Sequence, residues 1–338
     1  MNFLEFILIN LRLIIQLMKI KPILLVPGEP KSVFLEIFFK SIKNIKYKSP
    51  LILICSKKDL ENQIKKFKIN RKIRVLNIKN IKNIKIDNKK INLININFKN
   101  SNNQKIKIKL QNKYINECFN IAFKIIKNGY TYKFINGPIN KKTFLKKKFL
   151  GITEYIASKF GVKDTGMLIY NNKISVCPLT THLPLKLVSK KISKKLIKNR
   201  IKMIDDFFKK ELNIVPKIGV TGLNPHCESI NKFNEDEKIV VPAVKSFINK
   251  KIKVKGPFSA DTIFLKANRN KFNIILGMYH DQVLAPLKTL FEYNAINITM
   301  GLPFLRLSPD HGPNEKMFGQ NKSNPQSLIQ ALKFLDKK

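Results

Sequence analysis

Tryptophan is absent from this chain of 338 residues, glycine occurs only 13 times, and there are four cysteines. Cys55, Cys118, Cys177 and Cys227 stand far apart with no C-x-x-C pair. A chain this long needs no disulfide framework, so reduced thiols and a cytoplasmic location are expected. The sparse glycines form neither G-x-G-x-x-G nor G-x-x-x-x-G-K-[ST], which argues against a Rossmann dinucleotide site and a P-loop. No serine stands in a G-x-S-x-G elbow, so an α/β-hydrolase is disfavoured too. The chain opens on "MNFLEFILINLRLIIQLMKIKPILLVPGEP", where Glu5, Arg12 and Gln16 interrupt the apolar run. It is a poor membrane span and has no small-residue cleavage site. It reads either as an amphipathic helix or as sequence upstream of a start at Met18.

Acidic residues are scarce as well, 22 against 65 Lys and Arg, for a net charge of +43. Such a charge would ordinarily point to nucleic acid or an acidic membrane. Only six of the 65 are Arg: Arg12, Arg71, Arg74, Arg200, Arg269 and Arg306. The rest are Lys scattered among Ile and Asn, the pattern of a strongly AT-biased genome. A dedicated nucleic-acid binder uses more Arg, whose planar fork reads phosphate and guanine. No specific nucleic-acid partner and no membrane are therefore expected.

The chain also has ample apolar material, with 44% hydrophobic residues. Its length favours two domains or one interrupted domain. Ile23 to Val26 reads as a buried strand entering a turn at "PGEP", and "PLILIC" (Pro50 to Cys55) as a second strand. Lys72 to Leu110 is almost only Lys, Ile and Asn and reads as edge strands or a surface excursion. "NECFNIAFKIIKNGY" looks helical, with Gly129 as its stop. Then one theme repeats, an apolar run followed by a polar loop: "YKFINGPIN", "KISVCPLTTHLP", "PKIGVTGLNPHCE", "FNIILGMYHDQ" and "AINITMGLPFLR". Helical stretches separate several of these, which implies an α/β fold with a largely parallel sheet. Ligands of such sheets bind beyond the carboxyl ends of strands.

The four histidines lie in "TTHLP" (His182), "NPHCE" (His226), "MYHDQ" (His280) and "PDHGP" (His311). His182, His226 and His280 follow three different apolar runs. Imidazoles converging from three strand exits would hold a divalent metal with open positions for substrate. Asp281 would orient an imidazole or cap a helix. Arg306 stands out in a Lys-dominated chain, because a planar fork suits a phosphate or carboxylate. Lys288 and Asn297 flank the same region.

In order along the chain, "NGPINK", "GITEY", "TTHLPL", "GLNPH", "GPFSADTIF", "MYHDQ" and "NITMGLPFLRLSPDHG" resemble the 4-hydroxythreonine-4-phosphate dehydrogenase family of vitamin B6 biosynthesis. The resemblance is diffuse across Lys40 to Asn112 and dense after Asn136. It implies an isocitrate/isopropylmalate-dehydrogenase-like α/β fold, with two domains flanking a cleft. The first would comprise residues 19–140 plus about 290–338, the second about 141–289, with 1–18 an extension or upstream sequence. It implies a homodimer with a shared active site. The family's metal ligands fall on His182, His226 and His280, the last supplied by the other subunit. Substrate contacts fall on Thr153, Lys288, Asn297 and Arg306, and Asp261 matches a polar active-site position. Lys288 and Asp261 are candidates for general base, and a metal-bound water or a relay would serve as well. The implied cofactors are NAD (or NADP) and a divalent metal such as zinc, magnesium or cobalt.

The implied reaction oxidises the C3 hydroxyl of 4-phosphooxy-L-threonine and decarboxylates the product to 3-amino-2-oxopropyl phosphate. The chain departs from the pattern in several places. "GITE" replaces "GHTE", so Ile152 stands where the family has a substrate-binding histidine. "PGEPKSVFLE" lacks the family's glycine-rich turn, and Val283 replaces a glycine after "YHDQ". These departures leave two alternatives open: a related hydroxy acid as substrate, or a catalytically weakened homologue.

Overall fold

The computed structural model describes residues 20–99, 101–145, 148–149, 151–228, 233–309 and 314–338, without the side chains of Lys142 and Glu315. The N-terminal stretch with its two readings lies outside the described residues, as does His311.

Twelve strands form one sheet among the described residues. They are β1 (Ile23–Val26), β2 (Leu51–Cys55), β3 (Ile73–Val75), β4 (Ile91–Asn95), β5 (Lys133–Asn136), β6 (Gly166–Tyr170), β7 (Ser175–Thr180), β8 (Lys217–Thr221), β9 (Lys253–Phe258), β10 (Ile274–Tyr279), β11 (Ile296–Met300) and β12 (Leu305–Ser308). Their order across the sheet is β3-β4-β2-β1-β5-β12-β11-β6-β7-β10-β8-β9. The longer helices are α1 (Phe34–Lys43), α2 (Lys57–Lys66), α3 (Gln104–Lys127), α4 (Ile152–Lys159), α5 (Lys194–Phe207), α6 (His280–Phe291) and α7 (Gln326–Asp336).

β1 and β2 are apolar at every position because both of their faces are covered. Ile23 and Leu25 of β1 pack into one core, and Leu24 and Val26 into the core on the opposite face. β2 splits the same way, with Leu51, Leu53 and Cys55 against Ile52 and Ile54. Each such side chain, removed from water, contributes about 1.5–3 kcal/mol. α3 covers the second core with Ile115, Phe119 and Phe123, and the chain leaves it through Gly129 at φ +69°. The Lys/Ile/Asn stretch supplies the edge strand β3 and its neighbour β4.

Three pairings are antiparallel, β12–β11, β11–β6 and β6–β7, and the others are parallel. Strand direction therefore reverses across the middle of the sheet. The ends of β5 on one side and of β7 and β10 on the other approach the central strands from opposite edges.

Two tight approaches shape the flanks of that centre. Gly28, at φ +84°, lets the "PGEP" turn lie against the loop after β5: a Cβ there would collide with the Pro138 carbonyl. Glu29 N–H donates to Pro138 O at 3.0 Å, and its carboxylate accepts from Asn140 N–H at 2.8 Å. On the other side Val283 packs against Gly277, occupying the space a Cβ would need. The valine in place of the family's glycine is thus accommodated by a glycine on β10.

Candidate active site

A cavity of about 1060 Å³ lies over one face of the central strands. Its floor comes from alternate positions, Asn297 on β11, Arg306 and Ser308 on β12, and Met167 on β6. Alternation puts such residues on one face. Register explains their grouping, since Asn297 pairs with Ser308, and Thr299 with both Arg306 and Met167.

Arg306 is 1% exposed. Its Nε donates to Asn136 Oδ1 at 2.8 Å, and Nη1 donates to Thr299 Oγ1 at 2.8 Å and Thr153 Oγ1 at 3.1 Å. All three acceptors are neutral, so the hydrogen bonds fix the fork without neutralising it. Burial pushes the guanidinium down to about 10, opposed by the nearby Glu154 carboxylate, and it remains charged at neutral pH. A held, charged, desolvated fork is suited to an anion. Thr153 reaches it from the first turn of α4, directly after Ile152, which also lines the cavity.

The opposite wall is α6. His280, Asp281, Leu284, Ala285 and Lys288 all line the cavity, the one-sided stripe that 3.6 residues per turn produces. Burial lowers the Lys288 pKa. His280 opens the helix directly after β10, and His182 lies just past β7. These strands are parallel neighbours with Tyr279 opposite Thr180, so the two histidines leave the sheet side by side. Their ring centroids are 6.3 Å apart. His280 Nδ1 is 2.7 Å from Asp281 Oδ1, so Asp281 orients the imidazole, while the α6 N-cap is Tyr279 and makes no side-chain cap bond. His182 sits at φ +53°, a left-handed conformation that costs a non-glycine residue about 1–3 kcal/mol. Burial, then the charge of Lys141, lowers its pKa against the opposing pull of Glu154.

The cavity thus gathers Thr153, His182, His280, Lys288, Asn297 and Arg306. It does not gather His226 or Asp261. His226 lies beyond β8, the other neighbour of β10, in a turn with φ +56°. Buried Asp236 holds that turn, accepting from Leu223 N–H at 2.7 Å and Asn224 N–H at 3.0 Å. Asp261, beyond β9, is exposed. Its pKa is lowered first by a Ser259 side-chain bond and also by the charge of His226, so these two residues form a second grouping. Among the described residues no three His, Cys, Asp or Glu side chains meet in a metal-holding group.

The match to a family settles what this architecture belongs to. A family model described as pyridoxal phosphate biosynthetic protein PdxA matches residues 46–335. The chain belongs to the PdxA family. It is 42% identical over 202 residues to a 4-hydroxythreonine-4-phosphate dehydrogenase from Sulfurihydrogenibium sp., covering 58% of this chain and 62% of that protein. With the enzyme of that name from Aquifex aeolicus it shares 37% identity over 213 residues, 62% of this chain and 65% of the relative. It is also 33% identical over 220 residues to a D-threonate 4-phosphate dehydrogenase from Pectobacterium atrosepticum, 64% of this chain and 68% of that protein. The matches to the first two relatives thus span less than two thirds of their length. The solved structure of a 4-hydroxythreonine-4-phosphate dehydrogenase from Klebsiella pneumoniae superposes with a TM-score of 0.79 at 26% identity, covering 93% of this chain and 98% of that one. The α/β fold class expected from the resemblance is the one observed.

The cation that PdxA membership implies fits the histidine pair. A metal ligand must be a neutral imidazole, which the lowered pKa of His182 favours. The Asp281 contact at Nδ1 leaves Nε2 of His280 to face a ligand, the usual arrangement behind a metal-bound histidine. For a nicotinamide cofactor the fit rests on space and charge, since the cavity is at the upper end of ligand-pocket volumes and is lined by Lys141, Lys288 and Arg306.

Sequence reasoning passed over three contributors. Asn136 holds Arg306 from a distant segment of the chain, and Thr299 holds it from the adjacent strand of the β11–β12 pair. Glu154 lines the cavity with one buried oxygen, Oε2, that meets no hydrogen-bond partner. It stands in the "GITEY" motif beside Thr153, and that adjacency was the available signal.

Proposed function

We propose that this chain oxidises 4-phosphooxy-L-threonine with NAD and a divalent metal and decarboxylates the product to 3-amino-2-oxopropyl phosphate, a step towards pyridoxal 5'-phosphate. One observation carries the reading: a buried Arg fork, held among the described residues by three neutral acceptors, shares a cavity with a histidine pair suited to a metal. Family membership and the names of the relatives support it.

When bound, the divalent ion would acidify the C3 hydroxyl and stabilise developing charge on oxygen, and nicotinamide would accept the hydride. The chain's own residues do the rest. Arg306 and Thr153 bind one anionic group of the substrate, with Asn297 beside them. Lys288, with its pKa lowered by burial, binds a second anionic group or takes a proton. Asp261 serves only where a second chain brings it near. His182 and His280 hold the cation, His226 is the third ligand, and Asp281 orients His280. One chain does not gather three imidazoles among its described residues. In keeping with that, the homodimer that the family resemblance implies would complete the site, with at least one of the three from the second copy. In the division we propose, the cavity lies where the lobe of residues 19–140 and about 290–338 meets that of about 141–289.

No helix among the described residues is long and apolar enough to cross a membrane. The cysteines are free thiols, in keeping with a cytoplasmic location. A specific nucleic-acid partner is not part of this reading.

A second reading keeps the fold and changes the substrate. Ile152 lines the cavity where the family's histidine would stand, and one relative is named for D-threonate 4-phosphate. Parallel assays of NADH formation with both phosphates decide: faster turnover of D-threonate 4-phosphate would replace the first reading with the second.

A further inference from the structure

A second cavity, of about 800 Å³, lies beside β9, the last strand in the sheet order, and shares no lining residue with the catalytic cavity. Sheet register builds it. Ile218 and Val220 of β8 and Val254 of β9 turn to the core on one face, so Lys217, Gly219, Lys253 and Lys255 share the other. On that other face Ile263 and Phe272 cover Gly219, where a Cβ would come within 3.1 Å of each. Phe258 and Phe272 stand with ring centroids 5.4 Å apart. Apolar side chains from both faces line the cavity, Phe247 and Val254 on one and Phe258, Ile263 and Phe272 on the other. Its volume lies within the range of small-molecule sites.

The charge around it has one sign. Lys217, Lys250, Lys253, Lys255 and Lys271 line the cavity, and among the described residues no Asp or Glu does. Lys250 lies 5.2 Å over the Phe247 ring, and Lys271 donates to Asn268 Oδ1 at 3.2 Å. Neither contact neutralises a charge. Lys217 and Lys253 are direct register partners. Like charges facing each other across a strand pair are destabilising, and an anion between them relieves the repulsion. Lysines on an edge strand also discourage pairing with another chain. That role needs no aromatic-lined space beside them. A ligand matched to the whole pattern has a flat apolar body for the phenylalanines and a compact, doubly charged anion for the lysines.

We propose that the cavity beside β9 binds an aromatic phosphate monoester, at a site separate from the catalytic cavity.

The test is titration calorimetry on the full-length protein with 1-naphthyl phosphate, 1-naphthol and inorganic phosphate. The ester should bind about 10-fold or more tighter than either fragment, because apolar burial and charge-assisted contacts act together. Added salt should weaken it. Lys253→Glu turns the like-charged pair with Lys217 into an opposite one. It should cost the ester about 10-fold or more in affinity and raise the thermal midpoint of the ligand-free protein. Phe258→Ala should weaken the ester and leave inorganic phosphate within about twofold, since only the apolar wall is removed. It carries the test if the glutamate variant does not fold. Lys79→Glu, in the turn after β3 near the other edge of the sheet, controls for net charge. An ester bound no tighter than inorganic phosphate would overturn the proposal and leave the lysines as guards of an edge strand. Affinity unchanged in Lys253→Glu or in Phe258→Ala would overturn it by placing the ester elsewhere, the catalytic cavity included. An equal loss in Lys79→Glu and Lys253→Glu would overturn it as well, since net charge alone would then account for binding.

Discussion

Arg306 lies opposite Thr299 in the β11–β12 pair and donates from Nη1 to its hydroxyl at 2.8 Å. With Asn136 and Thr153, that contact holds a buried guanidinium in one orientation through neutral acceptors. Lysine can replace the charge but not the fork. Arg306→Lys should weaken binding of 4-phosphooxy-L-threonine by about 1.5–3 kcal/mol, roughly 10- to 100-fold. Titration calorimetry measures this, and affinity within twofold of wild type would remove Arg306 from the substrate site.

The Asp281 contact to His280 gives a second prediction. Asp281→Asn should lower divalent-metal affinity by about 10- to 100-fold, as the loss of a carboxylate behind a metal-bound imidazole does. Because the side chain is exposed, thermal stability without metal should change little. Metal affinity equal to wild type, read by competition with a chromogenic chelator, would mean that Asp281 only decorates the start of α6.

Acid tolerance follows from the lowered pKa of His182. A free histidine protonates near 6.5. His182 stays neutral below that value, so metal binding through it should persist to lower pH than an ordinary imidazole allows. The linkage has a definite sign: the unfolded chain takes up this proton first, so stability is retained above about 6.5 and declines as pH falls from there through the folded value. His182→Gln should flatten that part of the stability curve. Denaturation midpoints of the apo-protein between pH 5 and pH 7 provide the check, and a curve unchanged by the substitution contradicts the assignment.

Restoring the family's residue provides a fourth prediction. Ile152 cannot donate a hydrogen bond, and Ile152→His would place a donor at the cavity wall. A charge-assisted bond adds about 1–3 kcal/mol, so kcat/KM on the phosphorylated amino acid should rise by roughly 5- to 100-fold, mostly through KM. A fall on that substrate, with higher activity of the parent on D-threonate 4-phosphate, would favour the alternative substrate.

Local features of this chain were legible because they depend on neighbours in sequence. Ile23–Val26 and Leu51–Cys55 are strands because each is an apolar run between turns, and α3 ends at Gly129, which takes a left-handed φ. The strand exits of His182 and His280 could be read for the same reason. Long-range pairing could not. β12 lies beside β5 in the middle of the sheet, and only that register brings Arg306 to Asn136. Convergence of three histidines was expected from their shared type of position. Two share the cavity, while Asp236 anchors the third in a separate turn beyond β8. Glu154 went unnoticed because a missing partner is visible only in three dimensions.

The most direct test of the central claim is NADH formation by the metal-loaded protein given 4-phosphooxy-L-threonine and NAD, with His280→Ala alongside. The account predicts substrate-dependent NADH in the parent protein, lost on chelation of the metal and lost in His280→Ala. Metal-independent turnover, or none in a parent protein that binds both metal and substrate, would contradict it.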